Sequence, residues 1–524
     1  MPILIIGLDG ATFAVLQPWL ADGTLPTLAR LSATGTTGEL LSTLPPVTAP
    51  AWVSFMTGKN PGQHGIFDFF RPHAANLDRF EMVNASHIRS RLFWEYLPEK
   101  SLRVGILNIP VTHPPRPVNG YIVPGLLSPD QGQTCYPPGL LQPYQAELGP
   151  YRLTPDLLYK PDNAAAFIAD LHALIDTQSH YAQRLIADHP ADLQIVHFLA
   201  PDIAQHKLWR YHDPTHPWYT AATPYGSALR DLYVRLDQSI AALIALMPPE
   251  TTVFVMSDHG FGPHHQIVNL NQFFIHTGLM VLQRGWRVRA RQWAFGQPWL
   301  WPWVARWLRP LAFADVDWSQ TVAYSLGHMG QIYLNVAGRQ PYGIVAPQEY
   351  AAAREQVVTQ LHQLRHPVTQ QPLVEKIIPG DTAATGPYQN QGPDLHVVMN
   401  GYQAVAYPMF AADGQIVTEQ RHGNSGDHRA EGIFIASGPA IRSGHTLTPA
   451  HITDLAPTIL YLLGVPIPDD MDGQVLLAAI EPAYQDSHPV QTLAVTPLTK
   501  ESTSLSQQEQ AIVAERLRDL GYLG

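Results

Sequence analysis

One cysteine, Cys135, stands in 524 residues, so no disulfide framework can form within the chain, and the usage fits a reducing compartment. Charge is scarce too: Asp, Glu, Lys and Arg make up 14% of the chain, against about 25% in an average soluble protein. What charge there is leans acidic, with a net value of -11 and a pI near 6.1. That balance excludes a broad basic surface, and no nucleic-acid binding is expected. No run of about 18 or more uncharged apolar residues occurs, so the signal for a transmembrane helix is missing. The opening residues carry neither a basic stretch nor a small-residue cleavage site, and the location expected from these absences is cytoplasmic.

Apolar residues, in contrast, are plentiful at 45%, enough for a large buried core. They gather in short β-branched runs: Ile3 to Leu8, Val104 to Asn108, Leu193 to Leu199, Thr252 to Met256, Leu395 to Met399 and Ile433 to Ala436. Continuous apolar strands separated by helical patterns predict an α/β fold, a mostly parallel sheet with helices on both faces. Ligands bind beyond the carboxyl ends of such strands. Asp9, Asp202 and the pair Asp258-His259 each follow one of these runs, which brings them to one edge of the sheet.

Asp202 and His206 are four positions apart, so on a helix they share a face and can hold one ion. Alone, that spacing is commonly a surface coincidence. Asp258-His259-Gly260 is more specific, because a carboxylate and an imidazole in a tight turn at a strand end have little structural purpose. Around Thr48 the chain reads Pro45-Pro46-Val47-Thr48-Ala49-Pro50-Ala51-Trp52, which predicts Thr48 as the cap of a helix running to Met56 and stopping near Gly58. A hydroxyl there also sits where free N–H groups and the helix dipole favour a phosphate.

Thr48-Ala49-Pro50, then Thr57-Gly58, then Pro61-Gly62-Gln63-His64-Gly65-Ile66 resembles the nucleophile segment of the type I phosphodiesterase/nucleotide pyrophosphatase family of the alkaline phosphatase superfamily. The blocks Leu-Asp9-Gly, Pro-Asp202 through His206, and Ser-Asp258-His259-Gly-Phe resemble that family's metal motifs, in its chain order. The resemblance implies an alkaline phosphatase-like core and a phosphodiesterase acting through a phosphothreonine on Thr48. It further implies two divalent metal ions, zinc first and manganese second. Asp202, His206 and a later histidine would hold one ion; Asp9, Asp258, His259 and the Thr48 oxygen would hold the other. His428, directly before the run Ile433 to Ala436, is taken as the later histidine, with His422 as its rival.

One position departs from the family. Nucleotide pyrophosphatases place an asparagine after an Asp to hold a phosphoryl oxygen, and here Phe69 follows Asp68, so nucleotide specificity is not carried over. His64 is read as structural support for the turn after the helix. A sulfatase would need Cys-x-Pro-x-Arg, and Cys135-Tyr136-Pro137-Pro138-Gly139 lacks the arginine. A phosphomonoesterase, a phosphomutase and a non-catalytic metal-binding relative remain open beside the diesterase.

The expected organisation is a catalytic domain over 1–483, a Ser/Thr/Pro/Gln-rich linker over 484–506 and a C-terminal helix within 507–524. An insertion at about 284–313 interleaves Arg284, Arg287, Arg289, Arg291, Arg306 and Arg309 with Trp286, Trp293, Trp299, Trp301, Trp303 and Trp307. No Asp or Glu occurs from His259 to Ala314. Such a stretch suits peripheral contact with an anionic membrane, a lid over a small-molecule phosphoester substrate, or plain packing on the main domain.

Overall fold

In a computed structural model the described residues are 1–73, 76–295, 311–411, 414–419, 424–496 and 502–522. They divide into two compact units: Met1–Phe69 with Met82–Pro263 and Gly423–Leu523, and Phe70–Glu81 with His264–His422. Within the first unit the elements that matter are β1 (Ile3–Leu8), β2 (Thr36–Leu41), α1 (Thr48–Thr57), β3 (Val104–Leu107), β4 (Gly120–Val123), α2 (Ala164–Asp188), β5 (Leu193–Phe198), α3 (Ala200–His212), α4 (Ala228–Ala245), β6 (Thr252–Met256), β7 (Gly260–Pro263), β8 (Gly426–Arg429), β9 (Glu431–Ser437), β10 (His445–Thr446), β11 (Ala450–His451) and α5 (Gln507–Leu520).

Among the described residues nine strands form the main sheet, in the order β10-β2-β9-β6-β1-β5-β3-β4 with β11 beside β2. From β6 to β4 every pairing is parallel. Every residue of β1, β3, β5 and β6 is buried, which is why these segments read as mainly apolar runs, broken by Gln194 and His197 in β5, rather than as alternating ones. The run Ile433 to Ala436 departs from the parallel expectation. As part of β9 it runs antiparallel to both β6 and β2, because the preceding β8 enters from the opposite direction after pairing antiparallel with β7. Helices α2 and α4 pack on each other, and the buried carboxylate of Asp237 on α4 accepts the N–H groups of Thr27 (3.0 Å) and Leu28 (2.8 Å), closing the start of the helix Pro26–Thr34.

The second unit holds an antiparallel four-stranded sheet, Ala323–Ser325, Gln331–Leu334, Leu395–Met399 and Val374–Pro379 in that spatial order. Its core includes Phe274, Tyr324, Ile332, Val357, Leu361 and Val397. Leu395 to Met399, read from the sequence with the parallel strands, belongs here. An apolar run shows that a strand is buried but not which sheet buries it. Within the 284–313 stretch a helix spans Trp286–Phe295, with Trp286 and Trp293 exposed. Arg306, Arg309, Trp299, Trp301, Trp303 and Trp307 lie outside the described residues, as does His422.

The 484–506 segment carries the end of the helix Pro482–Ser487 and the strand Thr492–Leu493, which pairs with Ile467–Pro468. After it comes α5, whose N-cap is Ser506 and whose buried side is Val513, Leu517 and Leu520. No described helix is long and apolar enough to cross a membrane.

Candidate active site

Seven side chains singled out from the sequence converge at the carboxyl edge of the parallel strands, all within the first unit: Asp9, Thr48, Asp202, His206, Asp258, His259 and His428. Each is at most 3% exposed, so an ionised group here must be matched by a partner.

Asp9 follows β1. Its Oδ2 accepts the indole N–H of Trp52 at 3.1 Å and lies 2.8 Å from His197 Nε2. Trp52 is one turn beyond Thr48 on α1, and His197 stands beside Gly7 in the β1–β5 register. Gly7 makes this approach feasible, since a Cβ there would lie 2.5 Å from the Trp52 ring. Asp9 Oδ1 accepts no hydrogen bond and faces His259 Nε2 at 3.6 Å.

Asp258, just past β6, repeats the pattern. Its Oδ1 accepts the Gly10 N–H at 3.2 Å, while Oδ2 accepts none and lies 3.3 Å from His259 Nε2. Gly10 turns the chain with φ 67°, where a Cβ would also meet the Phe261 ring at 2.8 Å. Asp202 repeats it a third time. The Tyr522 hydroxyl donates to Oδ2, and Oδ1 looks at His428 Nε2 (3.2 Å), His206 Nε2 (3.6 Å) and His259 Nε2 (3.9 Å). Asp202 and His206 lie one turn apart on α3, as their spacing predicts.

The imidazoles are oriented with equal regularity. Nδ1 of His206 meets the Gly426 carbonyl at 2.9 Å, that of His428 the Pro46 carbonyl at 2.8 Å, and that of His259 the Gly260 carbonyl at 3.1 Å. A carbonyl only accepts, so each Nδ1 carries hydrogen and each Nε2 points inward. His206 and His428 approach Nε2 to Nε2 at 3.0 Å, and the His259 and His428 rings stack at 3.7 Å.

Burial pushes Asp258 well above the usual carboxylate range, reinforced by the charges of Asp9 and Asp202; burial likewise raises Asp9 against the pull of His197. Burial also opposes charge on Asp202, but His206, His428 and His259 around it hold its carboxyl below the ordinary value. Burial pushes His206 down to about 4 and His259 well below its usual value, so both rings are neutral at pH 7. His428 is opposed by burial yet raised by its contact with Asp202.

This donor set fits divalent cations. Among the described residues, three sets have ligand atoms within 4.8 Å of one another: Asp9, Asp258 and His259; Asp202, His259 and His428; and His206, Asp427 and His428. Carboxylate oxygens turned inward in a buried site, beside the Nε2 atoms of the neutral His206 and His259, are what a borderline cation requires.

Thr48 is placed differently from expectation. The residue preceding the first turn of α1 is Val47, whose side chain makes no capping bond, and Thr48 is the first helical residue. Its Oγ1 instead lies 3.4 Å from His259 Nε2. Gly58 does end the helix, at φ 67°. His64 sits away from the cluster, Nε2 3.0 Å from Ser54 Oγ and Nδ1 accepting the Ile66 N–H at 3.2 Å, and so supports the turn. Phe69 is buried with its ring 5.1 Å from that of Tyr522.

Sequence reasoning missed Trp52, His197, Asp427 and Tyr522. Two of them left a signal: His197 is a polar residue within a buried, mainly apolar strand, and Trp52 is four positions after Thr48. Tyr522, 320 positions from Asp202, left none.

A mostly parallel α/β sheet with buried Asp and His side chains gathered beyond its carboxyl edge defines the layout of a metal-binding α/β protein whose site lies at the strand ends. The particular family follows from the sequence: the type I phosphodiesterase/nucleotide pyrophosphatase description matches residues 3–426, and the chain belongs to that family of metal-dependent phosphoric-ester hydrolases. Similar solved structures include the phosphonoacetate hydrolase of Sinorhizobium meliloti 1021 in complex with phosphonoacetate, at 15% identity and TM-score 0.51, covering 87% of this chain and 94% of that one. Murine ectonucleotide pyrophosphatase/phosphodiesterase 5 aligns at 12% identity and TM-score 0.48, covering 92% of this chain and 100% of that one. Among curated proteins nothing matches the chain.

Proposed function

We propose that this chain hydrolyses phosphodiesters by double displacement through Thr48, with one ion held by Asp202, His206 and His428 and a second by Asp9, Asp258, His259 and the Thr48 oxygen. The observation that carries the reading is the shared orientation of the cluster: every carboxylate has one oxygen tied to a donor and the other turned inward, every imidazole turns Nε2 inward, and Thr48 Oγ1 lies beside His259. Three imidazoles with three carboxylates favour zinc, with manganese second.

The residues divide the work simply. Thr48 loses its hydroxyl proton, and Oγ1 bonds to phosphorus as the bond to the leaving alcohol breaks; that alcohol oxygen departs with the electron pair and takes a proton. A phosphothreonine ester results. Water then adds its oxygen to phosphorus, the P–Oγ1 bond breaks, and Thr48 recovers its proton. When bound, the two ions lower the pKa of the threonine hydroxyl and of water and offset phosphoryl charge. Burial of the site keeps bulk water from competing with Thr48 in the first displacement. Phe69, buried against Tyr522, has no side-chain hydrogen-bond donor to offer a phosphoryl oxygen, so nucleotide specificity is not carried over.

Turnover of bis-p-nitrophenyl phosphate, p-nitrophenyl phosphate and a nucleotide panel tests the proposal. A kcat/KM highest on the diester supports it; a preference for the monoester makes the chain a phosphomonoesterase on the same machinery.

Exposed Trp286 (76%) and Trp293 (64%) favour a second role for the 284–313 stretch, contact with a membrane surface in a cytoplasmic enzyme. Co-sedimentation with anionic phospholipid vesicles, lost in a Trp286→Ala/Trp293→Ala variant, is the expected result. Absence of wild-type binding at low salt removes that role.

A further inference from the structure

The three carboxylates of the site are oriented by three different devices. Asp9 is held by an indole and an imidazole, Asp258 by a backbone N–H, and Asp202 by the phenol of Tyr522, which arrives from the far end of the chain. Tyr522 is delivered by α5 and by the turn that ends it. Gly521 caps the helix at φ 96°, and the Tyr522 N–H bonds back to the Leu517 carbonyl at 2.8 Å. The turn lies against α3: a Cβ on Gly521 would sit 2.9 Å from Lys207 Nζ, and Lys207 itself bonds Asn424. From the body, the Ser128 carbonyl accepts the Arg516 guanidinium of α5. The Tyr522 ring then fills the space between Phe69 (5.1 Å), His206 (5.6 Å, edge-on) and His428 (6.2 Å, edge-on).

From this geometry we infer that Tyr522 is a positioning residue of the candidate metal centre. Its O–H occupies Asp202 Oδ2 and so presents Oδ1 alone to the ion shared with His206 and His428. The inference rests on the two-ion reading of the site. A phenol is suited to the task because it donates a single hydrogen bond from a rigid ring. With Oδ2 released, Asp202 could rotate toward a bidentate mode, and the site would lose its fixed geometry. Partners of this kind, which touch a ligand rather than the ion, typically contribute 10–100-fold in metal affinity.

The experiment compares full-length wild type, Tyr522→Phe and Tyr522→Ala. Zinc affinity is measured by competition with a chromophoric chelator, and the Co2+-loaded proteins are examined by visible absorption. Tyr522→Phe keeps the ring and its packing, so the expected result is an about 10-fold or greater loss of affinity for one ion and a shifted Co2+ band, with the second ion unchanged. Wild-type affinity and an unaltered Co2+ spectrum in Tyr522→Phe would overturn the inference, even with Tyr522→Ala impaired, because only ring packing would then matter. A rise in kcat/KM in Tyr522→Phe would overturn it too, by showing the tyrosine to obstruct the site. Wild-type protein that takes up neither Zn2+ nor Co2+ would strike at the metal reading itself, a result distinct from both.

Discussion

Nε2 of His206 lies 3.0 Å from Nε2 of His428, while Nδ1 of each ring already faces a backbone carbonyl. Two inward lone pairs cannot stay this close unless a proton or a cation lies between them. Asp202 Oδ1, 3.2 and 3.6 Å from the same two atoms, supplies the negative charge that either would need.

Removal of metal should therefore both inactivate and destabilise the protein. Ions that bind only the folded state add to its stability by mass action, so excess EDTA should lower Tm as well as turnover, and Zn2+ or Mn2+ should restore both. Metal analysis of wild type should return about two ions per chain. His428→Ala should lose one of them and His422→Ala none; the reverse pattern would move the assignment to His422.

Thr48→Ala should reduce turnover by about 10³-fold or more while Tm stays close to wild type and the second ion is still held by Asp9, Asp258 and His259, since the change removes the attacking oxygen, one of four proposed ligands, and little volume. Thr48→Ser keeps that oxygen and should retain measurable activity. Rapid acid quench of wild type with a labelled diester should trap label on Thr48 and none in Thr48→Ala.

The parts of this site that could be read from the sequence are those built by local geometry. Asp9, Asp258 and His259 end apolar strands, and Asp202 and His206 sit at helical spacing, so strand ends and a helix face brought them together without knowledge of the whole fold. The supporting residues follow from long-range register instead: His197 reaches Asp9 because β5 pairs with β1, and Tyr522 reaches Asp202 because α5 docks beside α3. Strand direction was lost for a similar reason. Ile433 to Ala436 has the composition of a parallel strand, and only the entry of β8 decides that β9 runs the other way.

Acid should destabilise the protein in a window set partly by a histidine outside the metal cluster. Burial, with a smaller push from Lys59, lowers His64 to about 3, against an unfolded value of about 6.5. Between those limits the unfolded chain binds the proton and the folded chain does not, so this histidine leaves stability unaffected above about pH 6.5 and erodes it progressively as pH falls toward 3. Melting temperatures of metal-free wild type and His64→Gln, measured from pH 7 to 4, should show the steeper decline in wild type. Parallel curves would mean that His64 titrates normally.

Trp52→Phe isolates the support beneath Asp9. The indole N–H is one of two groups on Asp9 Oδ2, and the ring packs edge-on against Phe55 at 5.5 Å and His197 at 4.7 Å, contacts that a phenyl ring partly preserves. The fold should therefore survive the loss of one buried hydrogen bond and some ring volume, at a cost of about 1–3 kcal/mol. The larger effect should appear in metal binding. With only His197 left on Oδ2, the carboxylate gains freedom to turn its orphaned Oδ1 away from His259, and affinity for the ion of Asp9, Asp258 and His259 should fall by about 10-fold. Chelator competition should register this loss at one site only, the opposite site from that affected by Tyr522→Phe. If both substitutions weakened the same ion, the division of Asp9 and Asp202 between two metal sites would be wrong.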